Sequence, residues 1–201
     1  MDRVTEVVRR NGVARVKMLS GEELRIPAAL FLERRVRAGE PLDPGEYRLF
    51  ISRRGYPHAL ETAVKFLALR ERSEGEIRAR LRRSCYPEEV IAHVMATLAT
   101  HDLVSDQRFA EQWVDSRAKR YGRGRIAQEL RMKGVSAQDA QAALEMLNKE
   151  DELRQACAQA RKMARRLQND PVKITQALVR RGYGWALARK AAEQAGELQR
   201  K

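Results

Sequence analysis

Aromatic side chains make up only 5% of this 201-residue sequence, and cysteine occurs just twice, as Cys85 and Cys157. So few aromatics, beside many Ala, Leu, Arg and Glu residues, argue against an all-β protein and for a helical one. The cysteines lie too far apart for a zinc spacing or a C-x-x-C pair, so both are expected as reduced, buried, small side chains. No apolar run approaches the roughly 18 residues of a membrane span, and the opening Met1-Asp2-Arg3 leads into no secretory core. A cytoplasmic protein without membrane contact is the expectation. Catalytic signatures are missing too. His58, His93 and His101 lack neighbours at metal or triad spacing, no G-x-x-x-x-G-K-[ST] loop occurs, and Gly122-Arg123-Gly124 is too short and follows no strand. The acids are dispersed, with no cluster to hold magnesium. The reading is a non-enzyme with no cofactor and no metal.

What the chain has is positive charge. Lysine and arginine number 40 against 27 acids, a net +13, which points to a polyanion or an acidic protein as partner. The excess lies towards the C-terminus: residues 151–201 carry a net +7, whereas residues 56–104 are balanced.

Apolar and polar residues alternate in Val4–Arg9 and Val13–Met18, and Asn11-Gly12 between them is a strong type I′ hairpin signal. Ser20-Gly21 marks a second turn before a third strand at Glu22–Ile26. Pro27 suits a helix start, with an apolar face running through Val36 to a stop at Gly39. Asp43-Pro44 caps another short helix to about Arg54, and Gly55-Tyr56-Pro57 reads as a break and domain boundary. This small β-meander with its helices, residues 1–57, is too small to be stable alone and is expected to pack on the chain beyond residue 57.

Past that boundary the sequence repeats. Ile77 and Leu81, Ile126 and Leu130, and Ile174 and Leu178 recur at four-residue spacing, offset by 49 and 48 residues. Each copy then reaches a break, at Cys85-Tyr86-Pro87, Gly134-Val135-Ser136 or Gly182-Tyr183-Gly184, and another helix comes after it. The fold class expected is mainly α: three tandem three-helix repeats over residues 58–104, 105–149 and 150–201, in an elongated curved array behind the meander. The recurring Ile and Leu side chains are read as core.

The segment Leu103-Val104-Ser105-Asp106-Gln107-Arg108-Phe109-Ala110-Glu111-Gln112-Trp113-Val114-Asp115-Ser116-Arg117, continuing through Tyr121-Gly122-Arg123-Gly124-Arg125-Ile126 to Glu129-Leu130-Arg131-Met132-Lys133-Gly134-Val135, resembles the RecX family of recombination regulators. Arg70–Ser73 with Glu76, Ile77 and Leu81 resembles that family's first repeat, so the likeness covers most of residues 59–195. It departs from the family pattern at Cys85, where later copies carry Gly134 and Gly182, so the first helix end is expected to differ; the third copy is Ala-rich. The resemblance implies a modulator of the RecA recombinase in recombination, DNA repair and the SOS response. Such a protein binds the RecA–DNA filament along its groove and reduces filament growth, ATP hydrolysis and strand exchange. It also implies a monomer that contacts single- and double-stranded DNA.

Candidate binding residues emerge from the charge pattern. Arg117, Lys119, Arg120, Arg123, Arg125, Arg131 and Lys133 crowd into seventeen positions with Glu129 as the only acid. Arginine forks pair with phosphate or carboxylate, while lysine adds less directional charge. Tyr121 in the turn has two readings, stacking on a base or covering the helix junction. Arg161, Lys162, Arg165 and Arg166 form a second group, whose 161/165 and 162/166 neighbours repel unless an anion lies across them. Arg78, Arg80, Arg82 and Arg83 alternate with acids and read as a solvated face. Trp113 is expected to share a buried helical face with Phe109, and Trp185 to contact a partner or staple the last helix. A general DNA-binding protein driven by charge alone, or an adaptor for another acidic partner, are the competing readings.

Overall fold

The structure is a computed structural model and describes residues 1–197. The end of the third expected repeat, residues 198–201, lies outside them. The chain forms two compact units, residues 1–105 and 106–201.

Unit 1 opens with strands β1 (Asp2–Arg10), β2 (Val13–Met18) and β3 (Glu23–Pro27), followed by helix α1 (Ala28–Glu33) and the two-residue strand β4 (Pro41–Leu42). All neighbours pair antiparallel in the order β3-β2-β1-β4. Asn11 and Gly12 both take positive φ, 50° and 79°, as the type I′ hairpin requires. The meander therefore gains a fourth strand that the sequence pattern does not announce, because Pro41-Leu42 is too short to show alternation. The first helix is shorter than expected, ending at Glu33 and not near Gly39.

Helices α2 (Pro44–Leu67), α3 (Glu74–Arg83) and α4 (Glu88–Thr100) complete the unit. Asp43 caps α2 by accepting from the amides of Gly45 and Glu46. The expected break at Gly55-Tyr56-Pro57 is corrected: α2 runs through it for 24 residues. Proline there removes one helix hydrogen bond, but the segment is held from outside. Tyr56 stacks on His93 at 4.2 Å and its hydroxyl lies 2.9 Å from that of Thr97. Buried Gly55, Ala59 and Ala63 make a small-residue face on α2, and a Cβ built on Gly55 would touch Val90 of α4. Tertiary packing overrides the local signal, and one core then runs from Val4 in the sheet to Leu98 and Val104. Neither α2 nor this core is interrupted at residue 57.

Unit 2 holds α5 (Asp106–Ala118), α6 (Arg123–Met132), α7 (Ala137–Glu145), α8 (Lys149–Ala164) with a 3-10 turn (Arg165–Leu167), α9 (Pro171–Arg180) and α10 (Trp185–Glu197). Two apolar clusters serve it, one around Phe109, Ile126 and Leu130, the other around Ala160, Ile174 and Leu178.

The three breaks share one geometry. Cys85, Gly134 and Gly182 all take positive φ, at 63°, 83° and 88°. In each case the next amide donates five residues back, from Tyr86 to Leu81, Val135 to Leu130 and Tyr183 to Leu178. That is the Schellman stop, and both the apolar residue just past it and the leucine of the last turn are buried. The first corner does not differ from the others despite its cysteine. Cys85 is itself only partly buried, while Cys157 is buried as expected.

Candidate functional site

The seventeen-residue arginine-rich stretch divides into two parts. In the first, Glu129 on α6 is nearly buried, 8% exposed, and anchors a set of cations. Its carboxylate lies 3.2 Å from Arg117 and 3.1 Å from Arg125, and accepts a 3.1 Å hydrogen bond from the Trp113 indole. Arg117 and Lys133 cover the two-ring system of Trp113 at 4.4 and 4.2 Å from the ring centroid, and Arg125 approaches Tyr121 at 5.7 Å. Trp113 also stacks on Phe109. Only Phe109 of that pair is fully buried; Trp113 is half-buried, held by cations on its faces and the acid at its edge. Arg123 is engaged elsewhere, 2.9 Å from Glu152 on α8 and bonded to the Leu147 carbonyl. Arg117, Arg123 and Arg125 are thus each engaged by an acid, two of them sharing Glu129.

The second part starts where α5 ends. The turn after it is pinned by backbone: the Gly122 amide donates to the Arg181 carbonyl and the Gly124 amide to that of Gly182, both at 3.0 Å. The approach admits no side chain, since a Cβ on Gly122 would lie 2.4 Å from the Gly182 oxygen and one on Gly182 2.2 Å from the Arg125 nitrogen. Gln159 of α8, 5% exposed, closes the corner. Its amide nitrogen donates to the Lys119 carbonyl at 2.9 Å, and its oxygen accepts from the Arg181 guanidinium. Tyr183, one residue past Gly182, is buried, which pushes its phenol up to about 12, with Glu152 adding to the rise.

The corner leaves a cleft of about 480 Å³ lined by Lys119, Arg120, Tyr121, Gln159, Lys162 and Arg181. Lys119, Arg120, Lys162 and Arg181 make no ion pair with an acid among the described residues. Four cations around a polar concavity, with a buried amide fixing one guanidinium, suit a phosphate or carboxylate group.

Of the sequence candidates, Lys119, Arg120, Tyr121 and Lys162 therefore meet at one site. Arg131, Arg161, Arg165 and Arg166 are exposed and do not line it. The helical register proposed for this last group tightens, because α8 ends at Ala164 and Arg165 and Arg166 belong to the 3-10 turn. Gln159 was not among the site candidates, whereas Arg181 belongs with Lys173, Arg180, Arg189 and Lys190 to the basic residues that extend the positive field of the third copy in the sequence. Arg181 is the residue before a positive-φ corner, and Gln159 sits on the apolar side of α8, a placement that flags a satisfied buried amide. Trp185 is 60% exposed.

Fold and site define a small basic protein, mainly helical, assembled from three-helix domains, with a cluster of cations unpaired by acids at a corner between helices. Residues 59–98 match the family model described as RecX, first three-helix domain, and residues 105–144 that of RecX, second three-helix domain. A Mycolicibacterium smegmatis protein named Regulatory protein RecX is 36% identical over 141 residues, covering 65% of this chain and 75% of that protein. A Mycobacteroides abscessus protein of the same name is 45% identical over 89 residues, 43% of this chain and 44% of that protein. A crystal structure of regulatory protein RecX shares the fold, with a TM-score of 0.65 over 96% of this chain and all of that one, at 22% identity. The chain belongs to the RecX family.

Proposed function

We propose that this protein is a regulator that binds the RecA–DNA filament and reduces its growth, ATP hydrolysis and strand exchange, acting in the cytoplasm as a monomer without catalysis of its own. Family membership and the regulatory name of its relatives support the role. The observation that carries the contact is the cleft of Lys119, Arg120, Lys162 and Arg181, whose charge has no acid to meet among the described residues of the unit. We read the helices after residue 58 as three domains, 58–104, 105–149 and 150–201, following a 1–57 segment that shares its helix and core with the first. Arg117, Arg123, Arg125, Arg131 and Lys133 then shape the surface around the cleft, and Arg161, Arg165 and Arg166 add to its field.

The test is single-stranded-DNA-dependent ATP hydrolysis by RecA, with this protein added substoichiometrically. Inhibition is expected, and an unchanged rate overturns the proposal. A second reading, general DNA binding to single and double strands, is favoured by the net +13. Binding by phosphate contacts alone falls steeply with salt. A regulator retains filament affinity at salt that abolishes its binding to naked DNA; loss of both together selects the second reading.

A further inference from the structure

Unit 1 carries a second cationic concavity, drawn mostly from residues 1–55, where basic residues outnumber acids. A cleft of about 280 Å³ is lined by Arg10, Asn11, Val13, Arg15, Arg25, Arg83 and Cys85. The arginines come from four different elements: the end of β1, the middle of β2, the edge strand β3 and the last turn of α3. Arg15 and Arg25 are direct cross-strand partners, and like charges directly opposite each other weaken a sheet. Glu23 relieves only one of them, pairing with Arg25 at 2.9 Å. Arg10, Arg15 and Arg83 make no ion pair with an acid among the described residues, and all are exposed. A cation in the last turn of α3 offsets the helix dipole, which accounts for Arg83 but not for Arg10 or Arg15.

We propose that this cleft binds the phosphodiester backbone of a nucleic-acid strand, giving the N-terminal hairpin a DNA-contacting role. A carboxylate offers two oxygens in one plane and satisfies one guanidinium fork, whereas a phosphate offers oxygens in several directions and satisfies several. A strand is favoured over a lone phosphate because the cations continue past the cleft. Arg80, exposed and three residues before Arg83, lies on the same helical face. The proposal concerns unit 1 and naked DNA, so it stands or falls separately from the RecA reading.

Cys85 supplies a local probe, since its thiol lines the cleft. Burial raises the pKa of that thiol and Arg25 counters the rise. The full-length chain is treated with iodoacetamide at mildly alkaline pH, with and without a saturating short single-stranded oligonucleotide, and both cysteine peptides are quantified by mass spectrometry. Buried Cys157 is the internal reference. The oligonucleotide is expected to slow Cys85 alkylation several-fold relative to Cys157. In Arg10→Gln/Arg15→Gln, which alters only exposed side chains, protection is lost and the salt slope of oligonucleotide binding falls by about 1 to 2. In Lys119→Gln/Lys162→Gln, saturated with the same oligonucleotide, protection persists. Equal labelling with and without DNA, or protection that survives in Arg10→Gln/Arg15→Gln, overturns the proposal. Equal protection by inorganic phosphate assigns the cleft to a free anion, and equal protection by polyglutamate to an acidic protein; either result also overturns it.

Discussion

Two groups of cations share the turn between α5 and α6 yet differ in what their charge is for. Arg117 and Arg125 close on nearly buried Glu129 beside the Trp113 indole, while Lys119 and Arg120, a few residues along, face a cleft with Lys162 and Arg181 and no acid lining it. In sequence both belong to one basic run. In the fold one is internal scaffolding and the other an open field, because the nearly buried Glu129 carboxylate holds both of its neighbours and reaches no further. Density of charge along a chain therefore says little about charge available to a partner.

That contrast has a graded set of tests. The largest effect is expected from Gly182→Ala, which forces a side chain onto a positive φ and into the Arg125 backbone. Unit 2 should lose about 3 kcal/mol or more, seen as an earlier urea transition by tryptophan fluorescence, which reports this unit because Trp113 and Trp185 both lie in it. Glu129→Gln comes next: about 2 kcal/mol lost on the same assay, since the neutral amide cannot hold two guanidinium groups and the indole. A stability unchanged by this substitution would mean that the anchored group is as open as the cleft. Reversal of the cleft in Lys119→Glu/Lys162→Glu should leave stability near wild type and reduce RecA inhibition about tenfold, equivalent to about 1.4 kcal/mol. Arg117→Gln should do the opposite, costing stability while its folded fraction keeps full potency. Equal losses of potency in the two variants would erase the distinction between the groups. The smallest effect is at the first corner. Cys85→Gly should stabilise unit 1 by about 0.5 kcal/mol by relieving a left-handed residue that carries a Cβ, measurable as a small rise in the midpoint of urea unfolding followed by circular dichroism.

Local signals in the sequence were reliable where local physics decides. Asn11-Gly12 specifies its turn through φ, and the Ile and Leu pairs at four-residue spacing in all three copies are fully or almost fully buried. Two of the helix stops were visible for the same reason, as Gly134 and Gly182 each followed by an apolar residue; the first was marked by Pro87 and expected to differ, yet Cys85 takes the same positive φ. Gly55-Tyr56-Pro57 misled because what sustains α2 there is the stacking of Tyr56 on His93 and the fit of Gly55 against α4, contacts made with residues about forty positions away. The site was half legible. Lys119, Arg120, Tyr121 and Lys162 stand out by charge and turn chemistry, but the pairing of Arg123 with Glu152 spans 29 residues and that of Arg117 with Glu129 crosses from one helix to the next. Gln159 gives no signal until its neighbours are known. The unit 1 cleft was hidden most completely, because Arg10, Arg15, Arg25 and Arg83 become neighbours only when the hairpin and the α3 corner fold together.

The Gly122–Gly182 contact implies a particular pattern of inheritance. A joint made from main-chain amides and carbonyls is indifferent to most exchanges of side chain around it, so descendants are free to redesign the surrounding surface for new binding partners. They are not free to add a single methyl group at either glycine, and the coupling between the two halves of this unit would pass down the lineage as a pair of missing atoms.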